Sequence, residues 1–540
     1  LIKNQLNKFF NSKLFIALFL MALVVVASVP AFRSAIYEGH DLNFHIGRIQ
    51  AIAEAIKSGQ LPVRYEENAW YGHGYVSSLF YGNIFLYVPA MLYNMGLPVY
   101  RAYNIYLILV NVATAIIGYY SFKGILGDRY YAVMATILYT LAGYRLTDLY
   151  VRTSLGEFTA MAFLPLCIYG LYRVYKKDNT NILLNVLPLV LGVTGLIESH
   201  IISTELFILF ALVFAIINFK DTLSVIRELL LAGVLIFLLN SFFIIPFIES
   251  YFTLNLNANS KSIIGNLGTA GLNLQQIFGP ITYNSNIPST HHSSYNVGFL
   301  VLFCEILTII YLVKAIVCRK SVSENNNKER YLIQIACFGM LSTWMATMYF
   351  PWKVVSEIWG LKNIFSPIQF ASRFLTVQTI LLVISGVFVI KQHTSKNSMK
   401  IIQLFGVAFI ALIMTGIFHY TLSFGVNLTY QDAPDYWADK LYLPVGTEAG
   451  SLTETEITID GEEYLLPKLA YNNVKVFDAN GSEITTHVSK NNCIGTSKDV
   501  DIDNITVKYV EPALWRISEI ISVLTLVGVI VFGIRSKRIM

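Results

Sequence analysis

Charge is the first thing in short supply. Only 14% of the 540 residues are Asp, Glu, Lys or Arg, where a soluble chain carries about 25%. Hydrophobic residues make up 55%, and mean hydropathy is +0.56. This balance excludes a disordered chain, a nucleic-acid-binding module and an ordinary cytosolic enzyme. Cysteine is scarce too. Cys167, Cys304, Cys318 and Cys337 lie in or beside apolar runs, and Cys493 stands alone in a polar stretch. The chain therefore has neither a disulfide framework nor a paired-cysteine zinc pattern. It also lacks a nucleotide-binding glycine motif. The net charge of +5 is small, and its placement is more informative than its size.

What the chain has in abundance is apolar runs. Runs long enough to span a bilayer occur near 14–32, 102–120, 130–147, 158–174, 183–198, 201–218, 229–248, 297–316, 331–349, 374–390, 401–419 and 517–534. The first reads as an uncleaved span. A further run, 77–97, is broken by Gly82, Pro89 and Gly96. If 77–97 does not span, the short basic linkers at 1–13, 121–129, 175–182, 219–228, 317–330, 391–400 and 535–540 all fall on one side, as the positive-inside rule requires. The segment is therefore read as re-entrant or interfacial. The expected fold is an all-α polytopic membrane protein with about twelve transmembrane helices. It is expected to sit in a plasma membrane with both termini cytoplasmic.

The long segments 33–101, 249–296, 350–373 and 420–516 then lie outside. The last carries period-two stretches at Ile457–Ile459 and Glu463–Leu466 around Asp460-Gly461, and at Val474–Phe477 before Asn480-Gly481, with Ile505–Val510 closing it. These are hairpin signals. The chain divides into a transmembrane part, 1–419, a small extracytoplasmic β-domain, 420–516, and a final helix with a basic tail, 517–540.

Chemistry concentrates in the outer segments. Gly39 and the Gly59–Pro62 stretch bracket a helix whose stripe Leu42, Ile46, Ile49, Ala53 and Ile56 suits the membrane surface. Asp41, His45 and Arg48 fall at i, i+4 and i+7, on one flank beside that stripe. A carboxylate there can take a proton from a hydroxyl, while Arg48 and His45 can hold a phosphate. A solvated Asp–Arg ion pair is the other reading. A metal on His40, Asp41 and His45 is a third, but the spacing does not mark it; no cofactor is expected. Further candidates are Arg152 and Glu157 in the stretch 145–157, His200 in the turn 198–200, and Gln369 and Arg373 entering the run at 374. Glu305 lies mid-span, where an ionisable group is a functional hypothesis.

These pieces, in this order, resemble the GT-C superfamily of membrane glycosyltransferases. They are Asp41-x-x-x-His45-x-x-Arg48, Gly72-x-Gly74 with Leu79-Phe80-Tyr81, Arg152-x-x-x-Gly156-Glu157, Ser199-His200, Gln369-Phe370-x-x-Arg373, and Tyr430–Trp437 with Tyr442-Leu443-Pro444. The closer similarity is to the YfhO-like branch, which overlaps proteins labelled "6-pyruvoyl-tetrahydropterin synthase-related" without implying pterin chemistry. The resemblance implies a polyprenyl-phosphate-linked sugar donor and transfer on the outer face to a cell-envelope acceptor such as a glycan or teichoic acid. It puts the catalytic acid at Asp41 and a second acid at Glu157. Arg48, Arg152 and Arg373 are assigned to the lipid phosphate on chemical grounds. The alternative is a polytopic transporter or flippase for an envelope lipid or glycan, with Glu305 in its favour.

Overall fold

The computed structural model describes residues 12–177, 181–260, 267–268, 271–278, 296–317, 327–358, 360–394, 396–423, 427–429 and 438–537. Among them, seven helical stretches are long and apolar enough to cross a membrane. They contain α1 (Lys13–Ser28), α4 (Val99–Leu126), α6 (Leu155–Lys176), α11 (Phe299–Val317), α13 (Phe374–Gln392), α14 (Asn397–Leu422) and α15 (Ala513–Lys537). Between α1 and α4 come α2 (Leu42–Lys57) and α3 (Tyr87–Asn94), and α5 (Arg129–Thr140) follows α4. The rest of the bundle is α7 (Ile182–Ile197), α8 (Ile201–Ile217), α9 (Ile226–Leu239), α10 (Ser241–Thr253) and α12 (Asn327–Met345). This is a mostly helical, multi-pass membrane protein.

Five of the twelve apolar runs thus take a form other than one long, strongly apolar helix. The run at 229–248 is broken by a 78° bend between α9 and α10. At the break, the Asn240 side chain donates to the Ile236 carbonyl at 2.7 Å and to Thr194 Oγ1 at 3.0 Å. A side-chain amide that takes a helix carbonyl, followed by Pro246 with no N–H, ends one helix and tilts the next. The run at 130–147 stops at Thr140, whose carbonyl accepts from Arg145 Nη1 at 3.1 Å. Residues 77–97 form 3-10 turns at Ser77–Leu79 and Ile84–Leu86 and then α3. The eight residues of α3 are ~12 Å long, far short of the ~30 Å hydrocarbon layer.

α6 and α7 pack at small residues. A methyl group on Gly170 would lie 2.3 Å from the Leu189 nitrogen, and one on Gly192 would lie 2.8 Å from the Cys167 nitrogen and sulfur. Only hydrogens fit there, so the backbones approach as closely as small-residue interfaces in membranes allow.

The strands are few. β1 (Ile36–Tyr37) pairs antiparallel with β2 (Asn427–Leu428). β3 (Thr458–Asp460) and β4 (Glu463–Leu469) form the hairpin expected around Asp460-Gly461, and Gly461 adopts φ +61°. The sheet continues from β4 to β7 (Cys493–Ser497) and β6 (His487–Val488). Its register slips between Leu466 and Leu469, at Pro467, which has no N–H for a ladder. β5 (Val474–Phe477) pairs with β8 (Thr506–Tyr509), and Gly481 takes φ +81° in the turn beyond β5. These strands do not own a separate core. Leu466, Leu469, Tyr471 and Val476 pack in one cluster with Tyr75, Val76, Leu79 and Phe80 of the segment before α3, and with Trp515 of α15.

Candidate active site

Three helices begin at one cavity of about 620 Å³. Asp41 and His45 line it from the start of α2, Arg152 from just before α6, and Gln369 and Arg373 from just before α13. His40, Asn43, Tyr81 and Asp439 complete the polar lining. Each helix start presents the positive end of its dipole, so the ends together favour an anion.

Backbone contacts bring the first two walls together. The His40 and Asp41 N–H groups donate to the Val151 and Arg152 carbonyls at 3.3 and 2.9 Å. The approach needs Gly39, where a Cβ would sit 2.4 Å from the Thr153 side chain and 2.9 Å from the Val151 oxygen. Asp148–Arg152 form a π-turn, a device that recurs at functional sites, and Thr153 leaves it at φ +55°. Gln369 is also strained, at φ +64°; such conformations persist where the surroundings over-determine them.

Asp41 occupies the position preceding α2, yet its side chain makes no capping bond to the helix. The half-buried carboxylate is therefore left to the cavity. His45 is 2% exposed, and its Nδ1 is buried without a hydrogen-bond partner. Burial, then the Arg48 charge, pushes its pKa well down, which keeps the imidazole neutral.

The cationic wall is built around Glu157. Arg152 Nη1 lies 2.6 Å from Glu157 Oε2 and 2.7 Å from Asp148 Oδ1, and Arg373 Nε lies 3.3 Å from Glu157 Oε2. Tyr144 and Thr376 hydroxyls donate to Glu157 Oε1 at 2.7 and 2.9 Å. Arg373 Nη1 donates to the Ile368 carbonyl at 2.9 Å and to Gln369 Oε1 at 2.8 Å. Burial, then repulsion from Glu157, raises the Asp148 pKa well above the usual range. Two guanidinium groups thus face one carboxylate held ionised between them and one pushed toward its neutral form, and the cluster leans positive.

Five of the eight residues assigned to catalysis or substrate binding from the sequence line this cavity, Asp41, His45, Arg152, Gln369 and Arg373, and so does His40. Three of the eight do not. Arg48 is turned behind the wall, 4.7 Å over the Tyr81 ring, and donates to Asn83 Oδ1 at 2.7 Å. α2 does not lie on a surface. Leu42, His45, Ile46, Arg48, Ile49, Ile52 and Ala53 are all buried, so Arg48 belongs to a packed face and not a solvated flank. Glu157 is enclosed by its four partners and is absent from the lining. His200 is the N-cap of α8: the Ser203 N–H donates to its Nδ1 at 3.3 Å, and the Ser203 hydroxyl lies 2.8 Å away. The stretch Tyr430–Trp437 lies outside the described residues. No group of three His, Cys, Asp or Glu side chains that could hold a metal occurs among the described residues.

Sequence reasoning passed over Asp439. Its Oδ1 accepts from the Tyr75 hydroxyl and, at 2.9 Å, from the Leu441 N–H. Burial raises its pKa against those hydrogen bonds. The one available signal was an acid set between the aromatic residues 436–437 and 442.

No family model matches the chain. An uncharacterized protein of Lactococcus lactis subsp. cremoris (strain MG1363) is 23% identical over 344 residues, covering 62% of this chain and 54% of that protein. The chain thus matches about half the length of that relative. Among solved structures, the arabinofuranosyltransferase AftD from Mycobacteria aligns over 79% of this chain and 28% of its own, at 12% identity and TM-score 0.42. The Archaeoglobus fulgidus oligosaccharyltransferase in the apo form aligns over 79% of this chain and 57% of its own, at 11% identity and TM-score 0.43.

Proposed function

We propose that the protein is a GT-C-type membrane glycosyltransferase that moves a sugar from a polyprenyl-phosphate donor to a hydroxyl of a cell-envelope glycan or teichoic acid. The observation that carries this reading is the meeting of the uncapped Asp41 carboxylate with Arg152 and Arg373 in one cavity. The cavity sits at helix starts, not midway along the helices where a transporter binds its substrate.

In this reading Arg373 and Arg152, with the helix N-termini, hold the lipid phosphate. Asp41 takes the proton of the acceptor hydroxyl. The acceptor oxygen forms a bond to the anomeric carbon from the face opposite the phosphate. The carbon–oxygen bond to phosphate breaks, and its electron pair stays on the phosphate oxygen. The configuration inverts. The departing phosphate is a weak base, so charge stabilisation by the arginines replaces a strong general acid. Glu157 positions both arginines instead of meeting the acceptor. The cavity opens to the extracytoplasmic side, and no metal or other cofactor enters the scheme.

The test is transfer by the purified protein from a panel of polyprenyl-phosphate monosaccharides, with glycan extracted from the envelope of a deletion strain as acceptor. Replacing Asp41 by Asn is expected to lower the rate about 10²–10⁴-fold with the protein still folded. Near-normal transfer by the variant removes the base role. Binding of no polyprenyl phosphate by the wild-type protein refutes the reading as a whole.

A further inference from the structure

The cavity holds a second carboxylate whose two oxygens are used differently. Asp439 Oδ1 accepts both protein hydrogen bonds, from the Tyr75 hydroxyl and the Leu441 N–H. The Tyr75 oxygen in turn accepts from the Tyr442 N–H at 3.0 Å. Phe80 stacks on Tyr442 with ring centroids 4.8 Å apart and planes 5° apart. The side chain is thus clamped through one oxygen, and Oδ2 takes no part in the clamp while Asp439 lines the cavity. Asp41, His45 and Tyr81 line it too, and His45 Nδ1 is buried and unpartnered. A carboxylate oxygen accepts only, and a neutral imidazole nitrogen adds one donor or acceptor. Such a set matches the vicinal hydroxyls of a sugar, and the Tyr81 ring supplies an apolar face beside it. It does not match a phosphate, whose oxygens accept and find no donor in a carboxylate.

We propose that Asp439 Oδ2 and His45 form the subsite that reads the hydroxyl groups of the transferred sugar, while the arginines hold its phosphate. The proposal rests on the glycosyltransferase reading and adds to it where sugar specificity lies. The consequence is a division of labour. Removing Oδ2 weakens binding of donors that carry a sugar and leaves binding of the bare lipid phosphate alone.

Asn is the informative replacement at position 439. Its amide oxygen can still accept from Tyr75 and Leu441, so the clamp survives, but an NH₂ group replaces the acceptor Oδ2. The experiment compares equilibrium binding of polyprenyl phosphate and of polyprenyl-phosphate monosaccharides to the purified full-length protein and to Asp439→Asn. Wild type is expected to bind at least one sugar-bearing lipid about tenfold or more tighter than the bare lipid, the worth of a charged hydrogen bond. In Asp439→Asn that ratio is expected to fall to near one, with bare-lipid affinity and melting temperature unchanged. In turnover the donor KM rises while the acceptor KM does not. A ratio retained by the variant overturns the proposal, and so does an effect confined to the acceptor KM. A fall in melting temperature with the ratio intact makes Asp439 a structural link only and also overturns it. Failure of wild type to bind the bare lipid phosphate is a different result, and it removes the functional reading beneath.

Discussion

Replacing Glu157 by Gln probes how the cationic wall is held. The substitution keeps shape and an acceptor oxygen but removes the charge that Arg152 meets at 2.6 Å and Arg373 at 3.3 Å. Both arginines are almost fully buried; Asp148, freed of repulsion from Glu157, can offset the lost charge at Arg152, which it meets at 2.7 Å, but Arg373 is left without its carboxylate. Removing one partner of a buried ion pair costs about 3–5 kcal/mol because the other charge is left uncompensated. Unfolding entropy scales at ~2.1 cal/mol/K per residue, so in a chain of this length that penalty lowers the melting temperature by about 3–4 °C. The assay is thermal unfolding of the purified protein in detergent, run beside Arg152→Gln and the double variant. The double variant is expected to melt above the sum of the two single losses, by about 0.5–3 kcal/mol of coupling. If Glu157→Gln melts within 1 °C of wild type and shows no coupling to Arg152, the carboxylate is not what holds the wall.

Three other outcomes follow from the geometry. Arg373→Ala is expected to weaken binding of a polyprenyl phosphate about ten- to a hundredfold, and Arg373→Lys to restore it only partly, since lysine loses the two-pronged geometry; isothermal binding measurements decide this. His200 is held down to about 3 by burial and then by Arg373, below its unfolded value near 6.5. Its neutral form therefore stabilises the fold above pH ~6.5, and that stability is lost as pH falls toward ~3, at up to about 1.4 kcal/mol per pH unit. His200→Asn, which still caps a helix, should flatten the melting temperature against pH in that window. Gly170→Leu should destabilise the α6–α7 pair by more than 2 kcal/mol, the scale of overpacking, seen as lower detergent-extracted yield and melting temperature, whereas Gly233→Leu, which meets nothing within 4 Å, should be neutral.

Much of the local architecture was legible because it is written in short-range pattern. The Gly39 and Gly59–Pro62 limits delimit α2, and Asp460-Gly461 marks the β3–β4 hairpin. Helix starts rich in Asp, Arg and Gln flagged the positions that meet in the cavity. What was hidden is direction and distance. Arg48 shares a helical flank with Asp41 and His45, but burial of nearly the whole helix turns it toward Asn83. Hydropathy averages register the composition of 229–248 and not the bend at Asn240. The pairing of Tyr75 with Asp439 joins residues 364 apart, and no periodicity carries that information.

That separation also orders events in time. Ribosomes add about 5–20 residues per second, so roughly 20–70 s pass between the emergence of Tyr75 and that of Asp439, 364 residues later. Throughout that interval Tyr75, Val76, Leu79 and Phe80 lack the strands and the Trp515 side chain that cover them in the finished protein. A nascent chain halted before residue 438 would hold Asp41 and both arginines yet present an open apolar face. Residues 438–515 therefore act as the closing piece: the cavity gains the wall that Asp439 lines, and the 75–80 segment its apolar cover, only after they have been made.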